Sequence, residues 1–182
     1  MGRTSKAVRI TDDDGDIIEV AEGGLETKPF DALIEGGLLS LVADDEEVNT
    51  NDYGASVEGA LGATHSGEIL QFVFYATETG SGAIQDSAGK LIILDADPEI
   101  NDGDTAMTAA ERITVLGQVE VSPSDWQIDA NGGSAIILNQ PVAFHALASL
   151  FFVWFHTDAV DLNDGAGDDE VLQMNFWYRR DS

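Results

Sequence analysis

Two aspartate-rich loops hold the residues with the clearest potential for chemistry, which would be the binding of a divalent cation. One loop runs from residue 95 to 104 and the other from 158 to 170, and both combine carboxylates with glycine. Calcium takes about six to eight oxygen ligands, which a sharply turning chain can supply. The candidate ligands are Asp95, Asp97, Asp102, Asp104, Asp161, Asp164 and Asp168.

Neither loop matches the EF-hand pattern, because no glycine stands at the sixth position from Asp95 or Asp161. The piece from Gly165 to Asp168 resembles part of one repeat of a calcium-binding β-helix, but it occurs once. A chain so rich in aspartate fills its loops with carboxylates by composition alone. We therefore expect solvated loops and no cofactor, with Ca²⁺ or Mg²⁺ in these loops as the alternative.

The remaining reactive side chains form no catalytic motif. The histidines His65, His145 and His156 are too widely spaced for a jelly-roll metal site, so we expect core or strand-end histidines. Cysteine is absent, and nucleophile and phosphate-loop patterns are missing or incomplete. Paired carboxylates of the glycosidase type stay open, since 34 acidic residues always contain pairs. The sequence predicts a protein that is not an enzyme.

Three tryptophans provide the other candidate binding groups. Trp154 lies inside an apolar run and is expected in the core. Trp177 shares one face of its predicted strand with Gln173 and Asn175, so we expect it to face a binding partner. The alternative is a sugar-stacking platform formed by Trp126, Trp154 and Trp177 with nearby Tyr75 and Tyr178.

Charge limits the classes of partner and environment. The chain has 34 acidic and 8 basic residues among 182, a formal net charge of -26. Such a chain repels itself at low ionic strength, whereas at about 1 M salt the Debye length falls to roughly 3 Å. We therefore expect adaptation to high salt. Nucleic acid and anionic membrane are excluded as partners, because their phosphates repel this surface.

The few basic residues are concentrated at the two ends of the chain. Between residues 11 and 178 only Lys28, Lys90 and Arg112 are basic. The basic ends are expected to bind a neighbouring acidic surface by charge complementarity. With Trp177, they give the predicted partner-binding residues Arg3, Lys6, Arg9, Trp177, Arg179 and Arg180.

Short strands must position these groups. Apolar runs and turn signals predict a hairpin of Ala7–Ile10 with Ile17–Val20, a strand or bend over Ala32–Val42, and a two-turn helix over Asp104–Glu111. Ala143–Thr157 is expected to be a strand buried on both faces, with a helix as the alternative. The other predicted strands are Ile69–Ala76, Leu91–Leu94, Arg112–Val121, Asp125–Ile128, Ala135–Leu138 and Glu170–Arg179.

This pattern predicts an all-β fold, a single β-sandwich or jelly roll with one short helix. An N-terminal arm and hairpin would occupy residues 1–20, and the sandwich residues 21–182. The N-terminus has no apolar stretch typical of a signal peptide. The predicted core consists of Leu70, Phe72, Phe74, Leu91, Ile93, Ile137, Leu150, Phe152, Trp154, Leu172, Met174 and Phe176.

Two segments, Phe144–His156 with its dense aromatics and Asn163–Leu172 with its acidic turn, are similar to those of capsid decoration (cement) proteins of tailed viruses. The acidic body would suit a virus of a halophilic or marine host. The resemblance implies a homotrimer formed through a jelly roll, located on the capsid surface at threefold positions of the virion. It also implies N-terminal arms that lie across subunits of the major capsid protein and oppose internal pressure.

Other function classes remain open from the sequence. A tail, fibre or turret module of a virus particle would share the composition and the fold. A secreted, calcium-dependent carbohydrate-binding module would use the two acidic loops and the exposed aromatics. Both would differ from a decoration protein in what they bind, which the residues alone do not specify.

Overall fold

The structure, a computed structural model, describes residues 10–11, 17–21, 24–27, 34–42, 51–78, 88–101, 103–129, 132–137, 141–157 and 170–181. The strands in this part of the chain are β1 (Ile10–Thr11), β2 (Ile17–Ala21), β3 (Gly24–Thr27), β4 (Ile34–Val42), β5 (Val57–Glu78), β6 (Gly89–Leu94), β7 (Val115–Val121), β8 (Trp126–Asp129), β9 (Gly132–Ile137), β10 (Val142–His156) and β11 (Glu170–Arg180). The described residues add one short α-helix, α1 (Ala109–Arg112). The all-β prediction is confirmed.

The chain divides into two compact units, residues 1–32 and 33–182. The first unit holds a three-stranded antiparallel sheet in the order β1-β2-β3. Ile10 lies opposite Ile18, as predicted for a hairpin around the acidic turn. The glycine pair at residues 23 and 24 predicts a break in structure, but β3 begins at Gly24 and extends the same sheet.

The second unit is built on one eight-stranded antiparallel sheet. Its main order is β4-β11-β5-β10-β6-β7, with β9 paired to β5 and β8 paired to β9. The 22-residue strand β5 joins the two halves, since its first part pairs with β10 and its second part with β11 and β9. The sandwich or jelly-roll arrangement stays a prediction.

One large core receives side chains from every strand of this sheet. The two aromatic side chains at its centre, Phe152 and Phe176, lie with ring centroids 4.9 Å apart. The apolar core positions of β11, Leu172, Met174, Phe176 and Tyr178, repeat every second residue, as the alternation along a strand requires. All the predicted core residues are buried except Leu70.

The error at Leu70 has a specific cause. Trp177 on β11 pairs with Gln71 on β5, but the next residue, Tyr178, pairs with Ile69. Leu70 is therefore an extra residue in β5, and such a bulge reverses the inward and outward alternation beyond it. Ile69 takes the inward position and is buried, while Leu70 is half-buried.

A smaller hydrophobic cluster covers the opposite face of β6 and the end of β10. It joins Tyr53, Ile92, Leu94, Ile100, Met107 and Val153. This cover explains why Phe152, Val153 and Trp154 are all buried. The prediction that the whole of Ala143–Thr157 is buried on both faces is wrong, because in the first half of β10 exposed side chains such as Ala143 alternate with buried ones.

The helix starts later than predicted and makes a single turn. Asp104 is held in a bridge with Tyr53, whose backbone nitrogen donates to the Asp104 carbonyl at 2.8 Å. Met107 is buried in the smaller cluster, so the chain stays extended up to that point. Thr108 then caps the helix, and its side chain and that of Glu111 form a reciprocal capping box.

Candidate interaction surface

The outward face of the sheet around β11 carries Trp177, one of the predicted partner-binding residues. Four neighbouring strands, β4, β11, β5 and β9, present the side chains that alternate with the core positions. We call this surface the low-charge face. Its residues are Glu35, Leu38, Ser40, Gln71, Val73, Tyr75, Ser134, Ile136, Gln173, Asn175 and Trp177.

The register places these side chains in ordered rows across the four strands. Asn175 lies opposite Leu38 on one side and Val73 on the other, and Val73 lies opposite Ile136. Cross-strand partners are about 5 Å apart, so neighbouring side chains in this row contact one another. In the adjacent row Tyr75 lies between Gln173 and Ser134.

The two ends of the first row are exposed apolar side chains. Leu38 is 57% exposed and Ile136 is 62% exposed, whereas Val73 and Asn175 between them are 6% exposed each. The row thus has an exposed apolar side chain at each end and two buried side chains in the middle. Tyr75 is also exposed and Trp177 is half-buried.

Charge is nearly absent from this face. Glu35 is its one ionisable acid, and it accepts a hydrogen bond from the Asn175 amide nitrogen. Past Trp177 the strand continues to Arg179, which forms an ion pair with Glu68 on β5 at 2.7 Å. In a chain of net charge -26, a partly apolar surface with a single acid is a feature that solubility does not require.

The other predicted partner-binding residues lie in different settings. Arg3, Lys6 and Arg9 fall outside the described residues. Arg179 is partly neutralised by Glu68 within the chain. Arg180 lies over the ring of Tyr178, with its guanidinium carbon 6.0 Å from the ring centroid. Binding of a partner by these residues stays a prediction.

In the first acidic loop, two of the predicted cation ligands serve local turns. The Asp97 carboxylate accepts hydrogen bonds from the Ser56 hydroxyl at 3.0 Å and the Glu99 backbone nitrogen at 2.9 Å. Asp104 accepts from the Asn101 backbone nitrogen at 3.0 Å. Asp95 is exposed.

Within the described part of the chain, no group of three or more His, Asp or Glu side chains could hold a metal ion. The candidate ligands Asp102, Asp161, Asp164 and Asp168 lie outside the described residues. The cation site therefore stays a prediction.

A contact between Ser66 and His145 was not predicted from the sequence. The Ser66 hydroxyl lies 2.9 Å from Nδ1 of His145 and accepts a hydrogen bond from the Ala146 backbone nitrogen at 3.0 Å. Ala146 has a φ of 52°, an uncommon value for a residue with a side chain. The β5–β10 register also shifts here.

Serine next to histidine is the arrangement that activates a nucleophile in hydrolases. Here no carboxylate among the described residues orients the His145 imidazole, and the pair is exposed. The Ser66 oxygen instead accepts a hydrogen bond from the backbone nitrogen of Ala146, the residue with the uncommon φ. The contact is therefore best explained as a clamp that stabilises the bulge between the two strands.

The expectation of core or strand-end histidines is confirmed at His156 but not at His145, which lies exposed within β10. His156 is fully buried at the last position of β10, while His145 on the same strand is exposed. Trp154 is fully buried, as predicted, and Trp126 is also buried. Trp177 is therefore the tryptophan with the greatest access to a partner.

Comparison of the chain with known protein families and with curated proteins finds no match. Among the described residues, no helix is both long and apolar enough to cross a lipid bilayer. The function is therefore inferred from the surfaces described above and from the resemblance given by the sequence.

Proposed function

We propose that this protein is a structural component of a virus particle, a capsid decoration protein that binds the outer surface of the shell and stabilises it. The observation that carries the proposal is the low-charge face, which suits the assembly of several copies on one particle. Exposed apolar side chains and neutral amides on an otherwise acidic β domain suit a protein–protein contact and offer no reactive group for catalysis. The protein would act by contact, not by chemistry.

The basic N-terminal residues provide the contact with the major capsid protein. Arg3, Lys6 and Arg9 precede an acidic body and would pair with carboxylates on the shell. At about 1 M salt the Debye length is roughly 3 Å, so only ion pairs at contact distance contribute. An extended arm can add main-chain hydrogen bonds to such pairs by lying along a strand of the partner.

An oligomer that carries several arms would bind the capsid much more tightly than a single copy. When arms on one oligomer bind neighbouring sites, each later arm binds at a high effective concentration, and affinity rises by about two to four orders of magnitude. The acidic body would remain in the salt solution around the particle. In this way weak arms suffice to reinforce the shell against internal pressure.

The test compares two charge-reversal variants that change the net charge equally. The arm variant carries Arg3→Glu, Lys6→Glu and Arg9→Glu. The matched control carries Lys28→Glu, Lys90→Glu and Arg112→Glu, the three basic residues between positions 11 and 178. Each is mixed with empty capsids in high salt, and the bound fraction is measured by co-sedimentation.

We expect the arm variant to lose at least about tenfold in affinity for capsids, because the loss is multiplied over several arms. The control should bind like the unmodified chain after circular dichroism confirms its fold. Equal binding by all three proteins would remove the arm from the mechanism. No binding of the unmodified chain to capsids would refute the decoration function.

A further inference from the structure

The low-charge face of one copy is chemically suited to bind the same face of a second copy. Its polar groups are mostly amides and hydroxyls, including Gln71, Gln173 and Ser134, and a carboxamide both donates and accepts hydrogen bonds. A face of this kind can meet an identical face without placing like charges together. A face that carried acidic charges alone could not, because each carboxylate would meet other carboxylates across the two-fold axis.

The charge of the whole chain also favours a second copy as the occupant. Two molecules of net charge -26 approach each other most easily through surfaces that carry little charge. A cationic partner, in contrast, would be attracted to the acidic surfaces elsewhere on the chain. The one acid of the face, Glu35, lies on β4, which pairs with β11 alone among the described strands. Its carboxylate already accepts a hydrogen bond from the Asn175 amide nitrogen within the chain.

We propose that the low-charge face is a homotypic contact, in which two copies of the chain pack the same sheet face against each other. Packed sheets lie about 10 Å apart with their strands within roughly 30° of parallel, which leaves room for one layer of side chains from each copy. Leu38, Ile136 and Trp177 would fill this layer, and the amides would exchange hydrogen bonds across it.

The area of the face limits the expected affinity of the dimer. Four strands about 4.8 Å apart, over about six residues of roughly 3.3 Å each, give a footprint near 20 Å by 20 Å, or about 400 Å². Stable dimers bury about 800 Å² of accessible surface per partner, so this contact falls at the weak end. We expect a reversible pair that forms at high salt, where repulsion between the acidic bodies is screened.

The homotypic contact forms between two free copies of the protein, so it does not require the capsid. It competes with the homotrimer that the resemblance implies. A self-matching face joins copies in pairs, whereas a ring of three needs two different surfaces that fit each other.

The test introduces one charge into the face and, as a control, the same charge elsewhere. Ile136→Glu and Leu38→Glu alter the low-charge face, and Ile113→Glu alters an isoleucine that is 83% exposed at the end of α1. All three side chains are exposed, so the fold should tolerate each change. Sedimentation equilibrium at about 2 M KCl, where the Debye length is near 2–3 Å, gives the dissociation constant.

We expect the unmodified chain and Ile113→Glu to form dimers, and the two face variants to weaken dimerisation by at least about tenfold, since each copy would bury a carboxylate without a partner. Acrylamide quenching gives a second measure. Trp126 and Trp154 are buried, so the quenching change on dilution should report mainly on Trp177.

Three outcomes would overturn the inference. One is a trimer in the unmodified chain, and another is a dimer that Ile136→Glu leaves intact. The third is a monomer whose capsid binding is abolished by Ile136→Glu, which would assign the face to the capsid. If the unmodified chain forms a dimer that the face variants weaken but does not bind capsids, the decoration function is refuted. The homotypic contact is then still supported.

Discussion

Replacing Gly89 by alanine should destabilise the second unit through a direct clash with Trp154. Gly89 is the first residue of β6 and is buried, with His156 on one side and Val121 on the other. A Cβ atom at this position would lie 2.0 Å from Cζ2 of Trp154 and 2.5 Å from Cε2 and Cη2. Ordinary carbon contacts are about 3.5–4.0 Å, so a shift of roughly 1.5 Å is needed.

Neither partner can move freely by that amount. The Trp154 side chain is fully buried and packs on Phe74, with ring centroids 5.8 Å apart. Gly89 is fixed by its pairing to strands on both sides. Overpacking of a dense core costs about 1–3 kcal/mol, and we expect Gly89→Ala to lie near the upper end of that range.

The change Trp154→Phe tests the cause, because the smaller ring lacks the far edge that carries Cζ2 and Cη2. Alone it should cost about 1–2 kcal/mol, since the cavity it leaves is partly offset by removal of a buried indole N–H. That N–H has no hydrogen-bond partner among the described residues. In the double variant the clash is relieved, so the two costs should fall short of their sum by at least about 1 kcal/mol.

Urea unfolding at a constant high concentration of KCl measures all four proteins of this double-mutant cycle. The same slope of free energy against urea in each variant confirms that they unfold in the same way. Costs that simply add would show that Gly89 and Trp154 do not clash. The reasoning from the close approach would then be refuted.

Three further changes test the electrostatics and the core. Thermal unfolding should shift strongly upward between about 0.1 M and 2 M KCl as the Debye length shrinks from roughly 10 Å, and a flat or falling midpoint would contradict adaptation to salt. Phe152→Ala should lower the free energy of unfolding by about 3–5 kcal/mol, because its fully buried ring packs on Phe176; a loss below about 1 kcal/mol would exclude it from the core. Glu68→Gln should cost less than about 1 kcal/mol at low salt and nothing measurable at 2 M KCl, since its ion pair with Arg179 is largely exposed; a larger, salt-independent cost would contradict this.

Alternation along strands was sufficient to predict most of the core. In β11, Leu172, Met174 and Phe176 alternate with polar residues, and all three are buried. Alternation places Leu70 on the wrong face because a bulge leaves no mark in a run of apolar residues. It also missed the first half of β5, where glycines at positions 59, 62 and 67 suggest loops.

At two of those positions, the packing of residues distant in sequence explains why the residue is glycine. A Cβ at Gly59 would lie 2.7 Å from the Phe152 ring, and one at Gly67 would lie 2.1 Å from the backbone oxygen of Arg179. These positions are strand residues that must be small because a neighbour occupies the space. Such neighbours are distant in sequence, so a local pattern could not identify them.

The candidate surface was predictable only in part. The polar residues Gln173 and Asn175 on the same face as Trp177 indicated a half-exposed face on β11. The exposed Leu38 and Ile136 complete that face, but they come from β4 and β9, and strand order cannot be obtained from local sequence. In the acidic loop, local hydrogen bonds of Asp97 and Asp104 depend on backbone turns that composition does not specify.

The central claim, that this chain decorates the outside of a capsid, is tested most directly by electron cryo-microscopy of capsids with and without the protein. A difference map at high salt should show added density on the outer surface, repeated with the symmetry of the shell and large enough for the 182-residue chain. Density confined to a tail or fibre, or no added density at saturating protein, would contradict the claim.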